Sequence, residues 1–302
     1  MKRKSSIWVI VPVAIALSFL LGRVPSELGV YSLYSTLATV TVPQPQTFFI
    51  PKEEPLPVLA TVKKQVESGP MHNQTDYTEG LDSKAIPALR QGGPQVLIVS
   101  THTCEAYTPD EANRYVPTDN DRTEDPQFNM LRIGREAKAV FEAAGIRVVL
   151  DETVCDLPSY NGSYKKSLSV IEKRLKEYPT ISVVLDLHRD AITLGDGTRV
   201  RLTAEIDGKT VAQAMAVVGT DQSGQAHPNW RQNLAFANAV QATADQLYPG
   251  LMRPINLRTG RFNQHTSTGA LLYEIGTAAN TLDEALYCVR CLSDAIVKTI
   301  KK

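Results

Sequence analysis

Residues 95–107, QVLIVSTHTCEAY, constrain the fold more than any other stretch of this chain. An apolar run from Val96 to Val99 breaks abruptly into a polar cluster carrying His102, Cys104 and Glu105. Such a run, bounded by turn signals, reads as a buried strand, and Gly92, Gly93 and Pro94 punctuate its start. Ionisable side chains just past a strand end sit where open α/β sheets place their binding sites. The pattern predicts a sheet domain that begins here and a site built where its strands end.

The sequence that follows alternates helix and strand. Over residues 130–144 the apolar side chains Leu131, Ile133, Ala137, Val140, Phe141 and Ala144 recur at helical spacing, and Gly145 supplies a C-terminal stop. Residues 147–150 form a second strand. Residues 164–178 form a second amphipathic helix, with Leu168, Ile171 and Leu175 on one stripe. ISVVLDL at 181–187 is nearly continuous in apolar residues, as a strand buried on both faces should be. Asp207-Gly208 between two alternating runs is a strong type I′ turn signal, so residues 199–219 read as a β-hairpin added to the sheet. A helix over 230–248, strands over 255–259 and 270–275, and a last helix opened by the capping box Thr281 to Glu284 complete the tally. The expected fold is α/β, a three-layer domain over 95–302 with a mostly parallel sheet and an inserted antiparallel β-hairpin.

The N-terminus is of a different kind. Lys2, Arg3 and Lys4 precede an uncharged, mostly apolar segment from Ser5 to Gly22, whose length of about 18 residues is near the minimum for a bilayer span. The basic flank predicts a cytoplasmic tail over 1–6, a transmembrane anchor over 7–22, and an extracytoplasmic remainder in the cell membrane's outer space. A cleaved signal sequence is the competing reading. Prolines scattered through 42–57 forbid long regular elements and make 23–94 a spacer and covering arm. The 32 basic and 32 acidic side chains cancel, which gives no electrostatic argument for nucleic acid. Export permits disulfides among the four cysteines. Cys288 and Cys291 fall in a helical pattern as buried thiols, and a Cys104–Cys155 bridge stays open.

Three strand ends carry the chemistry: His102 with Glu105, the run Asp186-Leu187-His188-Arg189-Asp190, and Glu274 in LLYEIG. Two histidines and a carboxylate form a common catalytic zinc set that leaves a fourth position for water. A separate glutamate can serve as general base on that water. His72, His227 and His265 lie in loop-like surroundings and are weaker candidates. Two other readings stay open: Cys104 as nucleophile with His102 or His188 as its base, and a non-catalytic cell-wall or protein-binding module.

STHTCEAY at 100–107, VCDLPSYNGSY at 154–164, DLHRDA at 186–191 and EIGTAANTLDEA at 274–285 resemble, in order and spacing, the stage II sporulation protein P family. The resemblance implies an amidase-like catalytic domain and a membrane-anchored, zinc-dependent peptidoglycan hydrolase acting in engulfment during sporulation. The activity it implies is that of an N-acetylmuramoyl-L-alanine amidase, with cutting of peptide cross-links beside it. Stage II sporulation proteins D and M are its implied partners. It makes His102 and His188 zinc ligands, Glu105 the third ligand and Glu274 the catalytic carboxylate. Asp110, Glu111 and Glu124 compete with Glu105 for the ligand role. From the residues themselves, Arg189 is a candidate contact for a peptide carboxylate or glycan oxygen, with an ion pair to Asp186 or Asp190 as the alternative, and Tyr160, Asn161 and Tyr164 are candidates to line the substrate groove, with turn and helix-start roles as the alternative. Ser100, Cys104 and Cys155 depart from the residues that the family often carries at these positions, which are histidine, serine and histidine.

Overall fold

The computed structural model describes residues 60–302 except 68, 70, 119 and 120, and all of these lie in one compact unit, Pro55–Lys302. The expected anchor over 7–22 and most of the expected spacer lie outside the described residues. Among the described residues no helix is long and apolar enough to cross a membrane.

The stretch 95–107 opens with β3 (Val96–Val99), whose four side chains are all buried. Two short strands precede it, β1 (Thr61–Lys64) and β2 (His72–Asn73). After it come α1 (Met130–Ala143), β4 (Val148–Leu150), α2 (Ser163–Glu177) and β5 (Val183–Asp190). The second half contains β6 (Arg199–Ile206), β7 (Lys209–Ala212), β8 (Ala214–Gly219), α3 (Trp230–Leu247), β9 (Asn256–Arg258), β10 (Gly269–Thr277) and α4 (Leu282–Ile300).

The principal sheet has seven strands in the order β2-β9-β8-β10-β5-β3-β4, and every pairing is parallel except β8 with β10. Strand side chains alternate between faces. Val96, Ile98, Leu185, Leu187, Tyr273 and Ile275 point to the face covered by α1, α3 and α4. Leu97, Val99 and Val184 point to the other face, where Ile171 of α2 meets them. The result is the expected three-layer α/β arrangement. Burial of one such Leu or Ile side chain is worth about 1.5–3 kcal/mol, and Leu97, Ile98, Leu185 and Leu187 are all essentially inaccessible.

The hairpin forms at the expected turn, with Asp207 and Gly208 both at positive φ (51° and 72°) as a type I′ turn requires. Its extent differs from the sequence expectation. β6 and β7 pair antiparallel in a separate three-stranded sheet with β1, and the chain then passes at Gln213 into β8 of the principal sheet. Gln213 holds that crossing. Its side chain is fully buried, accepts from Val66 N and donates to the carbonyls of Val66 and Gly250. The run 199–219 thus contributes strands to two sheets.

Candidate active site

β3, β5 and β10 are parallel neighbours, so their C-terminal ends meet at one edge. On β5, residues 186 and 188 are two apart and share the α2 face. In β10, Glu274 is in direct register with His188. The β10–β5 register then shifts between Glu274 and Thr277, where Gly276 takes φ 70°. A Cβ at Gly276 would lie 2.7 Å from Ala212 Cβ, so a glycine is needed on both counts. This irregularity ends regular pairing just past Glu274, in the manner of bulges that re-aim side chains beside sites.

Past β3 the chain turns back under its own strand end. Thr101 donates from N and Oγ1 to the two carboxylate oxygens of Asp186, at 2.8 and 2.6 Å. That pair of bonds ties the first strand end to the third and presents His102, which is 6% exposed. The His102 ring stacks on Tyr160 (4.0 Å between centres, 7° between planes) and meets His188 edge-on at 5.2 Å. Tyr164, from the first turn of α2, also contacts His102 edge-on and stacks with His188.

His188 lies between two carboxylates. Its Nε2 is 3.1 Å from Asp186 Oδ1, an ion contact off the line of a good hydrogen bond, and its Nδ1 is 3.7 Å from Glu105 Oε2. Burial opposes the charged imidazole, but Asp186, then Glu105 and Glu274, overcome that and lift His188 to about 10. His102 goes the other way. Burial, then the neighbouring His188, lower it to about 4. Burial raises Glu105, against the pull of Arg189 and His188. Glu274 is pushed up to about 8, first by burial, with His188 opposing and Glu105 reinforcing. A carboxyl with that affinity for a proton suits an acid–base role near neutral pH.

Of the sequence candidates, His102, His188, Glu105 and Glu274 therefore converge. Arg189 is buried and adjoins them. It donates from N to Glu105 Oε2 and from its guanidinium to the carbonyls of Ala106 and Asp121, so it braces the turn after β3. Tyr160 is half exposed, covers His102 and lines a cleft of about 1080 Å³ together with Glu105, Glu124 and Arg189. Asn161 is exposed and does not line that cleft. Asp110 accepts from the backbone of Ala112 and Asn113 and closes a local turn. His227 and His265 pair with each other elsewhere, 6.4 Å between ring centres.

Cys104 is buried, and burial together with Asp156 pushes its thiol up to about 12. A thiolate nucleophile needs a lowered value, so burial beside Asp156 works against the cysteine reading. Cys155 is raised similarly, to about 11, and all four cysteines are free thiols.

Sequence reasoning assigned no role to three participants. Asp186 orients His188, and its signal was available: two residues apart on one strand means one face. Arg122 and Asp156 form an ion pair at 2.6 Å, and the Arg122 guanidinium lies 5.2 Å from the Tyr160 ring centre. They come from different loops, and no spacing rule joins them.

The donor set suits zinc in type: two imidazoles and a carboxylate. His102 Nδ1 and Glu274 Oε2 are sealed from solvent with no hydrogen-bond partner. Two imidazoles on one tetrahedral ion, with bonds of about 2.0–2.1 Å, have ring centres roughly 5 Å apart, in keeping with the 5.2 Å found here. With the Asp186 carboxylate 3.1 Å from Nε2, Nδ1 would be the nitrogen of His188 free to face an ion. Among the described residues no three His, Cys, Asp or Glu side chains are gathered closely enough to hold a metal ion as they stand. The fit is one of donor type and pair spacing.

A family model described as Stage II sporulation protein P (SpoIIP) matches residues 49–297. No curated protein matches the chain. Among solved structures the chain is similar to N-acetylmuramoyl-L-alanine amidase AmiC2 of Nostoc punctiforme, at 15% identity over 70% of this chain and 97% of that one, with a TM-score of 0.37. It is similar to the N-acetylmuramoyl-L-alanine amidase from Clostridium difficile 630, at 16% identity over 70% and 96%, with a TM-score of 0.38. The amidase Ami1 from Mycobacterium smegmatis matches at 14% identity over 71% and 97%, with a TM-score of 0.39.

Proposed function

Because the chain belongs to the stage II sporulation protein P family, we propose that it is a sporulation peptidoglycan hydrolase that cleaves the amide between muramic acid and L-alanine. In this reading His102, His188 and Glu105 hold zinc and Glu274 is the general base. The observation that carries it is Glu274 in register with His188, its buried carboxyl raised to about 8 beside two imidazoles and a second carboxylate. Zinc, when bound, supplies a Lewis acid for the amide carbonyl and the attacking water. The residues supply the rest. Glu274 takes a proton from the attacking water at Oε2, the atom without a partner, and returns it to the departing amine. Asp186 holds the His188 ring, and Tyr160 shields His102 from bulk water. Burial of this carboxyl–imidazole group strengthens every charge interaction in it.

The segment from Ser5 to Gly22 fits a membrane anchor that tethers the enzyme on the wall side, with stage II sporulation proteins D and M as its partners. The test is digestion of purified sacculi by the full chain in the presence of zinc. New L-alanine amino termini are the expected product, and Glu274→Gln should lower their rate by about 10²–10⁴-fold. New termini only within the cross-links would replace the amidase reading with an endopeptidase. No new termini of either kind would leave the non-catalytic module standing.

A further inference from the structure

The cleft beside the catalytic cluster extends well past it, from Tyr160 and Glu105 to Ile192, Gly197 and Arg199. Three arginines line it. Arg189 is committed to backbone carbonyls, and Arg122 to Asp156 and the Tyr160 face. Arg199 is different. It is 92% buried by its 8% exposure, and its Nη1 is sealed with no hydrogen-bond partner. Its guanidinium makes one ion pair, Nη2 to Asp121 Oδ2 at 2.7 Å. A buried guanidinium with an unused donor is costly unless some state of the molecule satisfies it. The planar fork of arginine is matched by a carboxylate accepting two bonds.

Asp121 is built to give way. Its backbone carbonyl accepts from Ala106 N at 2.9 Å and from Arg189, so its main chain is held by bonds separate from the side chain's ion pair with Arg199. Its φ is 56°, a left-handed conformation that Asp and Asn tolerate better than most residues. Resting on the peptidoglycan-hydrolase reading above, we propose that Arg199 is a carboxylate-recognition residue for the substrate's peptide, and that the Asp121 carboxylate occupies its guanidinium until a ligand carboxylate displaces it. Arg199 lies in the cleft that Glu105 and Tyr160 also line, next to the histidine cluster that Tyr160 covers. The ligand class is a muramoyl peptide with a free carboxylate, either on a side chain or at its C-terminus.

The test is binding, not turnover. Calorimetric titration of the full chain with chelator present uses three probes: a muramoyl peptide with free carboxylates, its C-terminal amide and its side-chain amide. Amidation of the recognised carboxylate should weaken binding about ten-fold, and the arm that loses affinity identifies which carboxylate is read. Arg199→Gln should weaken the free peptide by a similar factor and abolish the difference between free and amidated probes. Asp121→Asn keeps the backbone preference and removes the competitor. It should tighten the free peptide about three-fold or more and leave the insensitive amide unchanged. Should Arg199→Gln fail to fold, the Asp121→Asn arm still decides. Equal affinity for free and amidated probes in the wild-type chain, absent binding of any probe, or no selective tightening in Asp121→Asn overturns the proposal. Hydrolysis of sacculi without this coupling refutes the subsite alone, and coupling without hydrolysis refutes the enzyme reading alone.

Discussion

At the scale of single residues, one sheet edge sets two neighbouring imidazoles on different courses. Burial lowers His102 to about 4 while Asp186 lifts His188 to about 10, although the two rings touch. Asp186 does this from a fixed place, since both its oxygens accept from Thr101. If His188 ligates zinc through Nδ1, Asp186→Asn removes the carboxylate that orients the ring and raises its basicity. Zinc affinity should then fall about 10–100-fold, read by competition with a chelator. Unchanged affinity would argue that His188 is not a ligand or binds through its other nitrogen. His102, His188 and Glu274 were legible in the sequence because each follows an apolar run that has to end at the same sheet edge. The Arg122–Asp156–Tyr160 assembly was not. Its members come from loops whose approach is set by the fold and by no period in the chain.

At the scale of elements, the helices and central strands were legible because periodicity and caps agree. α4 begins at the capping box, with Thr281 accepting from Glu284 N and the Glu284 side chain accepting from Thr281 N. α1 ends before Gly145 at φ 78°. What joins one element to another was less visible. Asp151, just past β4, accepts from Arg174 of α2 at 2.7 Å and from Thr153 N. Burial alone would raise Asp151, but the bonds from Thr153 and Arg174 outweigh it and the group is lowered. A folded value below the unfolded one contributes stability that is present above the unfolded value, about pH 4, and lost as pH falls through the folded value. Asp151→Asn should therefore destabilise the protein by about 1 kcal/mol at pH 7, a figure kept small because Arg174 is partly exposed. Urea titrations of variant and wild type should converge as pH drops below about 4. A gap that persists there would assign the loss to packing and not to charge.

At the scale of the whole molecule, the described residues between 60 and 94 pack into the same compact unit as the strands that follow. The sequence drew the catalytic domain as 95–302, because residues 60–93 are polar, short of periodicity and broken by Gly and Pro. β1 and β2 are short and exposed, so neither alternation nor a continuous apolar run marks them. Their pairing partners, β6 and β9, lie more than a hundred residues away in the chain. Contacts beyond the strands are also substantial. The Tyr77 ring packs tilted against Trp230 with centres 4.6 Å apart, Met71, Leu81 and Leu89 pack against the main core, and Asn238 donates to the carbonyls of Leu81 and Ser83. Val66 reaches Gln213, the side chain that holds the crossing between the two sheets. Losing even the apolar part of this set removes about 3 kcal/mol or more, and 1 kcal/mol shifts Tm by roughly 2–4 °C in a domain of this size. A fragment starting at residue 95 should therefore melt about 6–12 °C below one starting at residue 60, by scanning calorimetry at equal concentration. Equal melting would mean that the arm lies on the surface without supporting it. The expected loss would also extend to the candidate site, because β6 carries Arg199 and is flanked on its outer side by β1. The arm then sets the edge of the cleft as well as the edge of the sheet.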